Sequence, residues 1–150
     1  MAEYRKLIGY GPDIVIIDSM DLLTDGSRRV WGAEHERSKR IAVANDLKDL
    51  AADENVWAVV TYQATIENRE WLNDEKNVLT EYNCSEAKGL ARPCTHLISL
   101  NQSGKERNED LKRLHLDKAR FFRKGDTLRI ATDYDNEGFF EHSRHIRTRK

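Results

Sequence analysis

The chain has few of the residues and segments that define several protein classes. It contains two cysteines in 150 residues, and no Cys-x-x-Cys or His-x-x-x-His pair supplies the ligand spacing of structural zinc. No apolar run approaches the roughly 18 residues of a membrane span, and residues 1–11 contain no secretory signal. We therefore expect a cytoplasmic protein with free thiols and no membrane segment.

The chain also lacks an excess of positive or negative charge. The net charge is −1, although 34% of the residues are charged, so the chain as a whole is not a uniformly basic nucleic-acid binder. Basic residues are concentrated in two places, residues 118–124 and the tail 142–150. For the tail we expect solvated surface.

What the chain does contain is one strand–helix–strand unit in its first half. Residues 13–18, DIVIID, form an apolar run closed by an acid, typical of a strand buried on both faces of a parallel sheet. Residues 34–52 carry an apolar stripe at helical spacing, and residues 56–62, VWAVVTY, predict a second buried strand. The prediction is a βαβ unit with a right-handed crossover, within a single domain spanning residues 1–150.

The second half is richer in strand signals. A polar segment, 64–90, has no strong period and is long for a plain connection, so we expect it to be functional or mobile. Gly104-Lys105-Glu106, which contains the only Gly-Lys pair in the sequence, is predicted to lie on a charged loop. A turn at 123–126 joins the last two of three predicted strands into a hairpin, and a short edge strand at 138–141 follows; the three strands are 95–100, 112–118 and 127–132.

Two polar residues follow the buried strands of the βαβ unit. Asp18 closes the first strand, and the end of a strand in an open α/β sheet faces the crevice where ligands bind. A carboxylate there can hold Mg²⁺ beside nucleotide phosphates, although an acid before a serine also suits a turn. Gln63 follows the second strand, where an amide can sense a γ-phosphate or orient a water; an ordinary polar residue leaving a strand is the alternative.

Two cations lie close together near the predicted hairpin. Lys118 and Arg120 are two residues apart, so in an extended chain they share a face and repel each other unless an anion lies between them. A triphosphate is a suitable anion, and an arginine can neutralise charge in a transition state. A salt-bridged edge strand explains the pair about equally well.

The order of these segments resembles a known family. The runs PDIVIIDSMDLL, LKDLAADENVWAVVTYQ, LTEYNCSEAKGLARPCTHLISL and LHLDKARFFRKGDTLRIATDYDNEGFFE are similar to the RecA-like motor domain of DnaB-type replicative helicases, from about Pro12 to Glu141. The resemblance implies an α/β, partial RecA-like P-loop NTPase fold: parallel strands with a crossover helix, then a C-terminal β-hairpin.

The same resemblance implies roles for the four residues. Asp18 would be the Walker B acid that holds Mg²⁺, and Gln63 the sensor glutamine, with Tyr62 and Ala64 replacing its usual neighbours. Lys118 and Arg120 would reach the ATP of an adjacent subunit in a hexameric ring, with the arginine as a finger in trans. The segment 64–90 would track single-stranded DNA, and its cations are Arg69, Lys76 and Lys88.

One part of the family pattern is missing. No glycine-rich phosphate loop with a Lys-Ser/Thr pair occurs in the sequence, and in the family that loop precedes the Walker B strand. The chain therefore looks like the second half of a motor domain, without the Walker A half. We expect it to be inactive alone and to bind ATP and Mg²⁺ only in a completed assembly, through self-association or a partner chain that carries a P-loop.

Two alternatives remain open at this point. The same order of elements serves RecA and KaiC relatives, so a recombinase or regulatory ATPase fragment is the nearer one. The other is a non-catalytic interaction module that keeps this fold and has lost nucleotide chemistry.

Overall fold

The computed structural model describes residues 2–23, 33–65, 70–84, 89–121, 123–133, 138–139 and 144–146. Their contacts group into two units, one formed by Met1–Gln63 and Glu86–Cys94 and the other by Ala64–Ser85 and Thr95–Lys150. The helices are α1 (Ala2–Ile8), α2 (Ala33–Asp53) and α3 (Gly104–Asn108), with 3₁₀ helices at Met20–Leu22, Glu70–Asn73 and Glu81–Asn83. The strands are β1 (Ile14–Ile17), β2 (Trp57–Val60), β3 (His96–Asn101), β4 (Leu111–Ala119), β5 (Thr127–Asp133), β6 (Gly138–Phe139) and β7 (Arg144–Ile146).

The first unit is the predicted βαβ unit. Strands β1 and β2 pair in parallel, with Ile14 opposite Trp57 and Ile17 opposite Val60. Helix α2 lies between them in the chain and ends one turn before β2. Asn55, which follows the helix, has φ of 51°, a left-handed conformation that asparagine tolerates and that commonly closes a helix.

The core of the first unit lies between α2 and one face of the two-stranded sheet. Val43 and Ala44 of the helix are buried together with Met20 and Leu90. Val60 of β2 packs against this cluster. Apolar residues at helical spacing therefore bury one face of α2, as the sequence pattern predicts.

The prediction that both faces of these strands are buried is wrong for the described residues. Ile14 and Ile16 of β1 are 56% and 71% exposed, and Trp57 and Val59 of β2 are 73% and 47% exposed. Side chains alternate along a strand, so the facing pairs of this register form one apolar surface opposite the α2 side. Within the described residues α2 covers only the other face. Trp57 is the most exposed side chain of the four on this surface.

The second unit is an antiparallel sheet. Strand β4 lies between β3 and β5, and β5 also pairs with β6 and β7. The β4–β5 hairpin, the three long strands and the short strand near residue 138 agree with the sequence prediction. Strand β7 falls inside the segment that the sequence describes as a basic tail.

The residues Gly104-Lys105-Glu106 do not form the predicted loop; they open α3. The Ser103 hydroxyl accepts from the Glu106 amide, and the Glu106 carboxylate accepts from the Ser103 amide at 2.8 Å, which is a capping box. Within the described part of the chain, no helix is long and apolar enough to cross a membrane.

Candidate functional site

The carboxyl ends of β1 and β2 bring two polar side chains together. Asp18 follows β1 and Thr61 follows β2. The parallel ladder continues one residue past the strands, with the Thr61 amide donating to the Ile17 carbonyl at 3.0 Å and the Met20 amide donating to the Thr61 carbonyl at 3.0 Å. The Thr61 hydroxyl donates to the Asp18 carboxylate, which is exposed.

Gln63 lies at the same edge of the sheet. Its backbone nitrogen is 3.5 Å from Oδ2 of Asp21, an oxygen that also accepts from the Ser19 hydroxyl at 3.3 Å. Asp18 and Gln63 therefore follow the tips of neighbouring parallel strands, at the end where open α/β sheets bind ligands. Thr61 and Asp21 join them without having been predicted.

The signal for Thr61 was available in the sequence. Once β1 and β2 are aligned in parallel by their apolar runs, the residue after one strand faces the residue after the other. The pairing of Ile17 with Val60 therefore places Asp18 opposite Thr61. Asp21 carried no comparable signal, because its position depends on the turn after β1.

The oxygen atoms at this edge are suited to a magnesium ion that is also held by a nucleotide. Mg²⁺ in nucleotide sites keeps several waters and takes one or two carboxylates together with phosphate oxygens. Asp18 supplies one exposed carboxylate oriented by a hydroxyl. In the described residues no group of three or more His, Cys, Asp or Glu side chains could hold a metal on its own.

Lys118 and Arg120 belong to the second unit. Lys118 is half-buried near the end of β4, and Arg120 is exposed directly after that strand. The Arg120 amide donates to the Thr95 carbonyl at 3.1 Å, so pairing with the β3 side continues past the strand. Both cations are thus fixed at one end of the antiparallel sheet.

A β-bulge lies directly before these cations. Leu97 of β3 pairs with Lys118, whereas Ile98 pairs with Leu116, so Asp117 is the extra residue of β4. The Asp117 carboxylate accepts from the Glu81 amide at 2.6 Å.

Of the three cations predicted to contact DNA, only Lys76 lies within the described residues; Arg69 and Lys88 lie outside them. Lys76 is exposed on a turn, where its amide donates to Asp74 Oδ1 at 2.9 Å. The carbonyls on either side of it, those of Glu75 and Asn77, accept from the Arg113 guanidinium of β4. Residues 70–84 of this segment are therefore held by the second unit's sheet, whereas Leu90 at its end belongs to the core of the first unit.

Comparison with solved structures identifies the fold. The ATPase domain of one DnaB-like helicase matches with a TM-score of 0.71 at 18% identity, over 92% of this chain. A DnaB-like replicative helicase, described with its interactions with primase, matches with a TM-score of 0.72 at 16% identity, again over 92%. The fold is that of a DnaB-like helicase ATPase domain. No protein-family model and no curated protein matches the chain.

The chain spans only part of these DnaB-like structures. It covers 48% of the first, the ATPase domain, and 34% of the second, the replicative helicase. The partial RecA-like α/β fold expected from the sequence is confirmed. At this level of identity the likeness concerns the fold, and the roles of individual residues remain proposals.

Proposed function

We propose that this chain is the C-terminal half of the motor domain of an ATP-dependent, DnaB-like DNA helicase. The observation that carries the proposal is the placement of Asp18 and Gln63 after neighbouring parallel strands, in a chain with this fold. The phosphate-binding loop comes from elsewhere, either a second polypeptide or the remainder of a longer chain. We call this chain together with that loop the complete assembly.

In the complete assembly, Asp18 would hold Mg²⁺ and Gln63 would face the terminal phosphate of ATP. The Thr61 hydroxyl donates to one oxygen of the Asp18 carboxylate, and the other oxygen would bind the metal ion. ATP would supply the energy for movement, and at the nucleotide of its own subunit this chain would contribute only the metal-side and sensing groups. The missing amide-lined loop accounts for the expected lack of ATP binding by the chain alone.

Lys118 and Arg120 would act on the nucleotide of an adjacent subunit in a hexameric ring. The support is their position at one end of β4, where the strand pairing fixes the backbone of both. A positive charge delivered there neutralises negative charge that develops in phosphoryl transfer. A finger in trans makes hydrolysis depend on ring formation.

Single-stranded DNA is the proposed substrate of translocation. Lys76 would contact its backbone, with Arg69 and Lys88 as further cations of the same segment. Contact with phosphates gives binding that is independent of base sequence. The neighbouring acidic residues keep this contact weak, so the ring and not a single chain would hold the strand.

Arg120→Ala tests the helicase proposal against the non-catalytic alternative. The variant should leave ring assembly intact, measured by sedimentation, and should lower ATP turnover of the complete assembly by about 10³-fold or more. Exchange of the exposed Arg123 for alanine is the matched control and should keep turnover within about twofold. Unchanged turnover in Arg120→Ala would refute the finger role and favour an interaction module.

A further inference from the structure

The segment 70–84 is attached to β4 at two places. At the first, the Arg113 guanidinium donates to the carbonyls of Glu75 and Asn77, which flank Lys76. At the second, the Asp117 carboxylate accepts from the Glu81 amide at 2.6 Å. Both attachments lie within the second unit. Strand β4 therefore holds the segment on either side of its middle.

The first attachment is buried and charged. Arg113 is 2% exposed, and its Nε lies 2.6 Å from the carboxylate of Glu106, which is fully buried. The turn is also held by Glu75, whose carboxylate contacts Lys105 at 3.3 Å and Arg129 at 2.7 Å. Lys105 lowers the pKa of Glu75, and Arg129 lowers it further. The turn that carries Lys76 is therefore anchored at Arg113, four residues before Asp117.

The second attachment lies beside the proposed finger. Asp117 is the bulged residue of β4 and directly precedes Lys118, with Arg120 two positions further on. A bulge bends its strand and redirects the side chains that follow it. The Asp117 bond to Glu81 therefore connects the position of the segment to the direction of the two cations.

We propose that the Asp117–Glu81 hydrogen bond couples the binding of single-stranded DNA at the Lys76 turn to the placement of Lys118 and Arg120. In this inference Asp117 is a positioning residue and touches no substrate. The inference rests on the proposed function and adds to it a route by which DNA binding regulates hydrolysis. Arg113 anchors the turn, and Asp117 transmits its displacement to the end of β4.

Two substitutions break this bond from opposite sides. Asp117→Ala removes the acceptor, and Glu81→Pro removes the donor. Proline suits position 81, because it is the first residue of a 3₁₀ helix and Thr80 before it is extended, with φ of −126° and ψ of −179°. If one bond carries the coupling, the double variant should behave like either single variant. Glu109→Ala, at an exposed carboxylate next to α3, is the matched control.

The test is amide hydrogen exchange of the complete assembly with and without oligothymidylate. In wild type and Glu109→Ala, the oligonucleotide should slow exchange both in residues 70–84 and in residues 116–120. In Asp117→Ala and Glu81→Pro, the response should persist in 70–84 and be lost in 116–120. The Glu81 amide should exchange about tenfold faster or more in Asp117→Ala, because a bond to a charged acceptor is lost.

A second readout separates coupling from structural damage. Stimulation of ATP turnover by oligothymidylate, the ratio of turnover with and without the oligonucleotide, should fall about tenfold in both single variants and stay within about twofold of wild type in Glu109→Ala. A wild type that responds in 70–84 but not in 116–120 would overturn the coupling and leave the helicase proposal standing. An equal response at 116–120 in wild type and Asp117→Ala would also overturn it. No response anywhere in wild type would refute DNA binding itself, and the coupling with it.

Discussion

The Thr61 hydroxyl donates to the Asp18 carboxylate at the edge of the parallel sheet. The contact joins the residues that follow β1 and β2, so it depends on the register of the two strands. A carboxylate held by one hydroxyl keeps its second oxygen for a metal ion. Because one hydrogen bond makes this contact, a single substitution of Thr61 tests it.

Thr61→Val removes the hydroxyl and keeps a β-branched side chain that suits the end of a strand. Loss of a hydrogen bond to a charged group should lower ATP turnover of the complete assembly about tenfold or more and raise the Mg²⁺ concentration needed for half-maximal turnover. Thr61→Ser retains the hydroxyl and should restore both quantities. Wild-type Mg²⁺ dependence in Thr61→Val would contradict the orienting role.

His115 on β4 makes the stability of the chain depend on pH. Burial lowers the pKa of His115 below its ordinary value of 6.5, an effect opposed by Asp117 and reinforced by Arg113. As the pH falls below about 6.5, the unfolded chain binds the proton before the folded chain does. The contribution of His115 to the stability is therefore present above that pH and is lost as the pH falls through the folded-state pKa.

The His115 prediction can be checked by urea unfolding between about pH 7.5 and about pH 5. The midpoint of wild type should fall across this range more steeply than that of His115→Gln, which does not titrate. The variant still offers a polar group near Thr127, whose hydroxyl lies 2.9 Å from His115 Nδ1. Equal slopes for the two proteins would contradict the assignment.

At the scale of elements, α3 and β4 meet through a buried ion pair. Glu106 is fully buried and both caps α3 and contacts Arg113 at 2.6 Å. Removing one partner of such a pair leaves the other charge buried without compensation. The short helix is therefore important to the stability of the second unit.

Glu106→Ala should lower the free energy of unfolding of the second unit by about 3–5 kcal/mol, because Arg113 then remains buried without its carboxylate. Glu109→Ala removes an exposed carboxylate on the same stretch of chain and should change it by about 0.5 kcal/mol or less. Urea denaturation followed by circular dichroism measures both. A loss below about 1 kcal/mol in Glu106→Ala would contradict the structural role of the pair.

The sequence predicted the strands and the long helix better than the short helices. Helix α2 and strands β1 to β5 follow from runs of apolar residues at the spacing of a helix or a strand. Helix α3 has five residues, too few to show a period, and its only signal was the Ser103–Glu106 capping spacing. The predicted placement of Asp18 and Gln63 at one edge relied on parallel pairing, which the apolar runs indicated.

Burial was harder to predict than secondary structure. A continuous apolar run shows that both faces of a strand can be buried, and it does not show what covers them. The exposed pairs Ile14–Trp57 and Ile16–Val59 form an apolar surface on the first unit. Parallel sheets occur almost only with both faces covered.

At the scale of the whole molecule, the two units make different contributions to the proposed function. The first contains Asp18 and Gln63, the residues proposed to face Mg²⁺ and the terminal phosphate. The second contains Lys118, Arg120 and most of the segment proposed to contact DNA, including Lys76. The sequence contains no glycine-rich loop whose backbone amides could bind a triphosphate. The central claim is therefore that this chain completes an ATP site whose phosphate cradle lies elsewhere.

Steady-state ATP turnover with Mg²⁺, measured for the chain alone and then with a polypeptide that carries the phosphate-loop half, tests that claim most directly. We predict turnover at background for the chain alone, turnover that appears on mixing, and its loss in a mixture containing Asp18→Asn. Turnover well above background by the chain alone, abolished by Asp18→Asn, would contradict the claim.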